Sequence, residues 1–260
     1  MAAAHVSARD PRISAFLSPR TPSGTVVAEG TWAHRHLLDV NADIDTFLYC
    51  PELLDPTAVP LAHAVGRGAR SAFAVSAKTY GRVSRRTSPS GLASLVRLPA
   101  WRAAAGAIGG RSVHSGTLVL VADGIEYATN LGALIRVVDA SGAQALLLTN
   151  RRARIEHPDV FTASRGTLLT TPVIDFGEPP AAAAWLAREG FTVHLALPGA
   201  SRDFRDRPHG VRPTAIVVGS EGRGVSAQWL SVPHEAVSIP MRGRADSLNV
   251  AVAAGVLLFG

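Results

Sequence analysis

Ile216-Val217-Val218-Gly219-Ser220-Glu221-Gly222-Arg223-Gly224 is an apolar strand that empties into a loop with three glycines. Glycines let backbone N–H and C=O groups approach a ligand closely. The same composition also makes a tight strand–helix turn. Glu221 stands at the mouth, where a carboxylate can accept hydrogen bonds from hydroxyls or fix an arginine. Outward from this stretch the second half of the chain keeps one rhythm. Apolar strands are expected at 117–122, 145–148, 173–175, 191–196, 215–218 and 236–239, and helices at 131–140, 181–188 and 248–258. Near-continuous apolar strands alternating with helices predict an α/β fold whose parallel sheet is covered on both faces. Ligands of such sheets sit beyond the carboxyl ends of the strands.

Two more segments sit at similar junctions. Asn130-Leu131-Gly132-Ala133-Leu134-Ile135-Arg136 opens the helix after the first of these strands. Asn130 suits an N-cap, because its side-chain oxygen can accept an orphan backbone N–H. Gly132 in the first turn costs about 1 kcal/mol against alanine, which points to a close approach there. Arg136, flanked by Ile135 and Val137, is expected half-buried and in need of a ligand or of a carboxylate such as Asp139. The third segment, Ile239-Pro240-Met241-Arg242-Gly243-Arg244-Ala245-Asp246-Ser247-Leu248-Asn249, is a strand end and a basic loop. Ser247 or Asp246 is the expected cap of the final helix. Its small residues Ala251, Ala253, Ala254 and Gly255 serve either core packing or a second subunit.

Residues 1–24 mix Pro, Ser and Arg and read as loosely ordered. Residues 25–99 alternate short strands (46–50, 72–75, 92–98) with helical stretches (31–38, 56–69, 79–86) and suggest a small α/β domain. Residues 100–112, rich in Ala and Gly, read as a linker or a short helix. Residues 113–260 form the second domain. The formal net charge of +6 lies wholly in the first part: residues 1–112 hold 13 basic and 7 acidic groups, residues 113–260 hold 13 of each. Between Asp55 and Asp123 there is no acidic residue. That window holds Arg67, Arg70, Lys78, Arg82, Arg85, Arg86, Arg97, Arg102 and Arg111. Such a stretch is either a solvated face or a field that attracts a polyanion; the absence of acids favours the polyanion, nucleic acid first.

Several chemistries fall away. Cys50 is the only cysteine, which excludes an intramolecular disulfide and a cysteine-only zinc site and points to the cytoplasm. The first residues lack the apolar stretch of a secretory signal. The longest apolar run, 250–260, is too short for a bilayer of about 30 Å, so no membrane is expected. The phosphate-loop lysine motif, the dinucleotide fingerprint, the H-E-x-x-H zinc motif and the G-x-S-x-G elbow are all missing. Of nine histidines only His34 and His36 lie close together, so no metal is expected.

Together and in this order, N-x-G-A-x-x-R at 130–136, G-S-E-G-x-G at 219–224 and I-P-M-x-G-x-x-x-S-L-N at 239–249 resemble the three motifs of the SpoU-type RNA 2′-O-ribose methyltransferases. The resemblance spans residues 115–258. The basic first domain looks like the small RNA-binding α/β domain that precedes such catalytic domains. Within the family the layout is most similar to the thiopeptide-resistance enzymes, the thiostrepton- and nosiheptide-resistance methyltransferases.

The resemblance implies a C-terminal trefoil knot, S-adenosylmethionine as cofactor and a homodimer. The adenine would rest on backbone groups of Val218, Gly219, Ile239 and Leu248, with Leu195, Ala196, Leu197 and Pro198 as a third wall. Ser220, Glu221, Gly222, Pro240, Met241 and Ser247 complete the implied cofactor set. The implied catalytic residues are Arg136, Asn130, Glu221, Ser247 and Asn249, with Arg136 of one subunit facing the cofactor of the other. Guanidinium groups stay protonated at neutral pH and make poor bases. Arg136 is therefore read as a phosphate anchor that stabilises a developing alkoxide. Arg67, Arg70, Lys78, Arg82, Arg85, Arg86 and Arg165 are the candidate RNA contacts; Arg165 reads equally as a surface arginine. The implied substrate is an adenosine in the GTPase-associated region of large-subunit ribosomal RNA. Transfer RNA, another ribosomal site, and a non-catalytic RNA-binding role are the alternatives.

Overall fold

The computed structural model describes residues 4–18, 21–206 and 211–260. They fall into two compact units, one of residues 1–100 with 156–170, the other of 101–155 with 171–260.

In the first unit the chain runs β1 (Ala4–His5), α1 (Ser14–Leu17), β2 (Thr25–Glu29), α2 (Thr31–Asp39), β3 (Ile44–Tyr49), α3 (Val59–Gly68), β4 (Ser71–Ala74), α4 (Ala77–Val83) and β5 (Leu92–Arg97). The sheet order is β1-β4-β3-β5-β2. Strands β1 and β3 run parallel to β4, while β5 is antiparallel to β3 and β2. The residues expected to be loose before β2 are built into this unit. Val6, Ile13 and Phe16 are buried with Leu48, Phe73 and Tyr80. Three apolar side chains scattered among Pro, Ser and Arg show no period, yet they join the buried core of this unit. Residues 1–3, 19 and 20 of that stretch lie outside the described residues.

His34 of α2 is fully buried. Its Nδ1–H donates to the Gly30 carbonyl at 2.8 Å, because a carbonyl can only accept; Nε2 then accepts the Ser94 hydroxyl at 2.9 Å. Burial in this neutral form pulls its pKa from 6.5 down to about 4. Below pH 6.5 the unfolded chain takes up a proton that the folded chain refuses, so stability is complete above 6.5 and falls as the pH drops toward 4. The loss from this group is expected to reach roughly 3 kcal/mol. Urea unfolding at pH 7 and pH 4.5 checks it: a His34→Gln variant should lose less stability across that interval than the parent, and an equal loss would assign the effect elsewhere.

The second unit begins where a linker was expected. Residues 103–112 instead form an antiparallel meander, β6 (Ala103–Ala104), β7 (Ala107–Ile108) and β8 (Arg111–Ser112). Ile108 is fully buried, Trp101, Ala103 and Val113 pack on the same core, and the Trp185 indole N–H donates to the Ala104 carbonyl at 3.0 Å. Ala- and Gly-rich composition says little about such a meander, because a few side chains anchor it.

The rest of the unit is β9 (Leu118–Asp123), α5 (Ala128–Ser141), β10 (Ala145–Thr149), β11 (Val173–Gly177), α7 (Pro179–Arg188), β12 (Thr192–Ala196), β13 (Thr214–Val218), α8 (Ala227–Leu230), β14 (Glu235–Val237) and α9 (Val250–Phe259). The six strands β9 to β14 form one sheet in the order β11-β10-β9-β13-β12-β14, every pairing parallel. The expected α/β class with a parallel sheet is what the second unit shows. Helix α6 (Pro158–Ala163) lies between β10 and β11 in sequence but belongs to the first unit, which moves 156–170 out of the domain expected at 113–260. Within the first unit the Thr21 hydroxyl donates to the Glu156 carbonyl at 2.8 Å, and Phe161, almost fully buried, lies against the Trp32 ring.

Candidate functional site

The carboxyl ends of β12, β13 and β14, three neighbours in the sheet, open on one cavity of about 330 Å³. Ala196 ends β12 and Leu197 and Pro198 follow it. Val218 ends β13, and Gly219, Ser220, Glu221 and Gly224 follow. Val237 ends β14 with Ser238, Ile239 and Met241 after it, and Asp246, Ser247, Leu248, Val250, Ala253 and Leu257 close the cavity from the approach to α9 and from α9 itself. This places the cavity where an open parallel sheet binds ligands, at the small end of the range for small-molecule sites.

Glu221 joins the three motif segments. Its Oε1 accepts the Asn249 Nδ2–H at 2.6 Å, the Asn130 Nδ2–H at 2.9 Å and, at 3.5 Å, the Val250 backbone N–H. Asn249 also donates to Asn130 Oδ1 at 3.2 Å. The caps differ from the expectation. Tyr127 is the N-cap of α5 and Asn130 lies in its first turn; Asn249, not Ser247 or Asp246, caps α9 by accepting the Ala251 N–H at 3.0 Å. Asn130 is thereby free to reach Glu221. The Ser247 hydroxyl donates to Asp246 Oδ1 at 3.3 Å.

The glycine loop folds back on itself. Ser220 N–H donates to the Gly224 carbonyl at 3.2 Å and Gly224 N–H to the Ser220 carbonyl at 2.8 Å. A Cβ on Gly219 would stand 2.0–2.2 Å from the backbone of Gly224 and Val225, so only glycine permits this close return. Beneath the loop lies Asp123, one residue beyond the strand expected at 117–122 and outside every expected site. It is 2% exposed. Its Oδ1 accepts the Thr149 hydroxyl and the Asn150 Nδ2–H, each at 2.9 Å, and its Oδ2 accepts the Ser226 N–H at 2.8 Å. The buried Trp229 indole donates to Thr149 Oγ1 at 3.1 Å. This carboxylate ties the ends of β9 and β10 to the segment that follows the loop.

A second cavity, also about 330 Å³, shares Ser220, Glu221 and Val250 with the first. Its other walls are Ile125, Glu126, Tyr127, Asn130 and Gly222. Of the cofactor set implied by resemblance, three residues stand apart from the first cavity. Leu195 is fully buried in the core, Gly222 lines the second cavity, and Pro240 lines neither. The residues that sequence reading omitted are Gly224, Val237, Ser238, Asp246, Val250, Ala253 and Leu257. Ala253 and Leu257, one turn apart on α9, were visible only as a small-residue and apolar pattern.

Arg136 is exposed rather than half-buried. Six residues beyond Asn130 on α5, it lies about 120° around the helix from it. It lines neither cavity and makes no hydrogen bond or ion pair among the described residues. In the first unit Arg67, Lys78, Arg82 and Arg85 are exposed, and none forms an ion pair among the described residues. Arg70 instead holds Asp43 through two hydrogen bonds at 2.9 and 2.8 Å, and Arg86 reaches the Glu29 carbonyl at 3.5 Å. The acid-free window is thus partly neutralised by acids from elsewhere. Arg165 lies over the Trp32 ring at 4.0 Å, a packed arrangement worth about 0.5–1 kcal/mol at an exposed site.

Fold and site define an α/β protein with a ligand cavity at the carboxyl edge of a parallel sheet. The chain belongs to the SpoU rRNA methylase family, whose model matches residues 117–259. It is 36% identical over 142 residues to the 23S rRNA (guanosine-2′-O-)-methyltransferase RlmB of Ralstonia nicotianae, covering 55% of this chain and 57% of that one. The chain spans about half the length of the curated relatives it matches. A solved RNA 2′-O ribose methyltransferase superposes with a TM-score of 0.76 at 28% identity, covering 98% of this chain and 96% of the other. The SpoU methyltransferase AviRb of Streptomyces viridochromogenes, solved with AdoMet, shares the fold with a TM-score of 0.82 at 22% identity over 96% of each chain.

Proposed function

We propose that this chain methylates a ribose 2′-hydroxyl of RNA, with S-adenosylmethionine as donor. The observation that carries the reading is Glu221, one carboxylate that lines the first cavity and gathers Asn130 and Asn249 from the two other motifs. The cavity suits the cofactor. Leu197, Val218, Ile239, Leu248 and Leu257 offer apolar faces to a purine, and the glycine-dependent return of the loop brings backbone donors and acceptors to its edge. The bound cofactor supplies a methyl group made electrophilic by its sulfonium.

The protein's own part is positioning, which can supply much of the acceleration for a donor this reactive. Glu221 spends Oε1 on two amide donors, so it holds Asn130 and Asn249 in place for the sugar. Arg136, exposed, anchors a phosphate and stabilises the negative charge that develops on the 2′-oxygen as its proton passes to water and an O–CH3 bond replaces the donor's S–CH3 bond, leaving the donor as its neutral thioether. Its distance around α5 from Asn130 supports a site completed across a homodimer, Arg136 coming from the partner. The exposed Val252 and Phe259 of α9 supply apolar surface for that dimer. The knotted path that the resemblance implies for the 219–249 loops belongs to the same reading, as does a cytoplasmic setting. Among the described residues no helix is long and apolar enough to cross a membrane.

The substrate assigned to this site is large-subunit ribosomal RNA, at an adenosine of the GTPase-associated region, where methylation blocks thiopeptide antibiotics. The support is the layout of a basic small unit ahead of the catalytic one, with Arg67, Lys78, Arg82 and Arg85 free to meet phosphates. Incubating ribosomal and transfer RNA with labelled S-adenosylmethionine and mapping the 2′-O-methylated nucleotide tests this. Label on a large-subunit adenosine is expected; label on transfer RNA or on a guanosine would replace the substrate, and no label on any RNA would remove the activity.

Gly219→Ala checks the cofactor seat. The added Cβ forces the loop off Gly224, and affinity for S-adenosylmethionine is expected to fall roughly tenfold or more, the equivalent of about 1.4 kcal/mol of strain. Calorimetric titration showing parental affinity would separate the loop from the cofactor.

A further inference from the structure

We propose that the second cavity receives the base of the target nucleotide and that Tyr127 is the face on which it stacks. This rests on the RNA methyltransferase reading above and adds the acceptor side to it. The cavity shares Ser220, Glu221 and Val250 with the cofactor's, so its occupant lies beside the methyl donor. Tyr127 is the only aromatic among the residues lining either cavity, and it is 61% exposed. Its backbone is extended, with φ −97° and ψ 131°, and its side chain caps nothing. Among the described residues its ring has no aromatic neighbour and its hydroxyl no hydrogen bond. Neither packing nor capping accounts for so large an apolar surface left open at this place.

The charge of the cavity selects the kind of occupant. Its charged lining is Glu126 and Glu221, and no cation is among its lining residues. Arg152 meets Glu126 at 3.2 Å from outside that lining. Carboxylates repel a phosphate and accept hydrogen bonds from the amines and hydroxyls of a nucleoside. A flat neutral group against an aromatic face, beside the amide of Asn130, is a nucleobase. Single-stranded or splayed bases are held in this way, and removing one such aromatic costs about 5- to 150-fold in affinity.

The test uses the full chain and an RNA fragment carrying 2-aminopurine at the mapped methylation position. The parent, Tyr127→Phe and Tyr127→Trp should quench the probe on binding. Tyr127→Ala should leave it bright, raise KM for unlabelled RNA about 5- to 150-fold and keep parental affinity for S-adenosylmethionine. Equal quenching by Tyr127→Ala overturns the proposal, and so does a loss of cofactor affinity that matches its loss of activity. A parent chain that methylates no RNA overturns the underlying reading as well, and is told apart by the missing product.

Discussion

Arg136→Ala is expected to lower methyl transfer by about 10²–10³-fold, the usual loss when a group aimed at developing charge is removed. RNA affinity should change little, because the cations of the first unit remain. Stability should hardly move: the side chain is exposed and bonded to nothing among the described residues. The sharper form of the experiment mixes subunits. If Arg136 serves the partner's site, a dimer of one Arg136→Ala and one Glu221→Ala chain keeps one site with both groups intact. An equal mixture, re-equilibrated, should then recover about a quarter of parental activity from two inactive parents. Verified mixed dimers without recovery would place Arg136 in the site of its own chain, or outside the chemistry.

Glu221→Ala is expected to cost a similar factor for a different reason. Without the carboxylate, Asn130 and Asn249 lose their common acceptor, and the two groups that the proposed function sets against the ribose become free to turn. Misplacement of about 1 Å can cost about 10²-fold. Because Glu221 is exposed, water can take over its hydrogen bonds, and Tm should shift by no more than about 3 °C. Glu221→Gln keeps one acceptor oxygen and should recover part of the rate. Initial rates with labelled cofactor, beside thermal melts, decide the matter: an alanine variant with near-parental kcat/KM would reduce the Glu221 hub to a structural clasp, and a large fall in Tm would make the rate loss uninterpretable as positioning.

The parts of the site that could be read in advance are those whose signal is local. Composition marks the strands and the last helix, and Val218, Gly219, Ile239 and Leu248, which only the resemblance to the family singled out, all line the first cavity. Asn130 was legible as a residue that matters but not as what it does, because any asparagine near a helix start reads as a cap; the cap is Tyr127. Asp123 carried no signal, since an acid at the end of an apolar strand usually meets water, and only the neighbouring Thr149, Asn150 and Ser226 make it a buried acceptor. The basic window misled in one respect. Asp43 and Asp45 lie outside it in sequence but meet Arg70 and Arg97 through the sheet.

By itself the sequence determined the α/β class of the second half, its six strands and the places of the three motif segments, because apolar periodicity and glycine placement act over a few residues at a time. Tertiary structure alone decided that Glu221 binds Asn130 and Asn249, that Arg136 turns away from them, and that 156–170 joins the first unit. Those outcomes depend on which strand ends lie side by side and on which face of a helix is covered, and residues 28 to 91 positions apart meet only after the chain has packed.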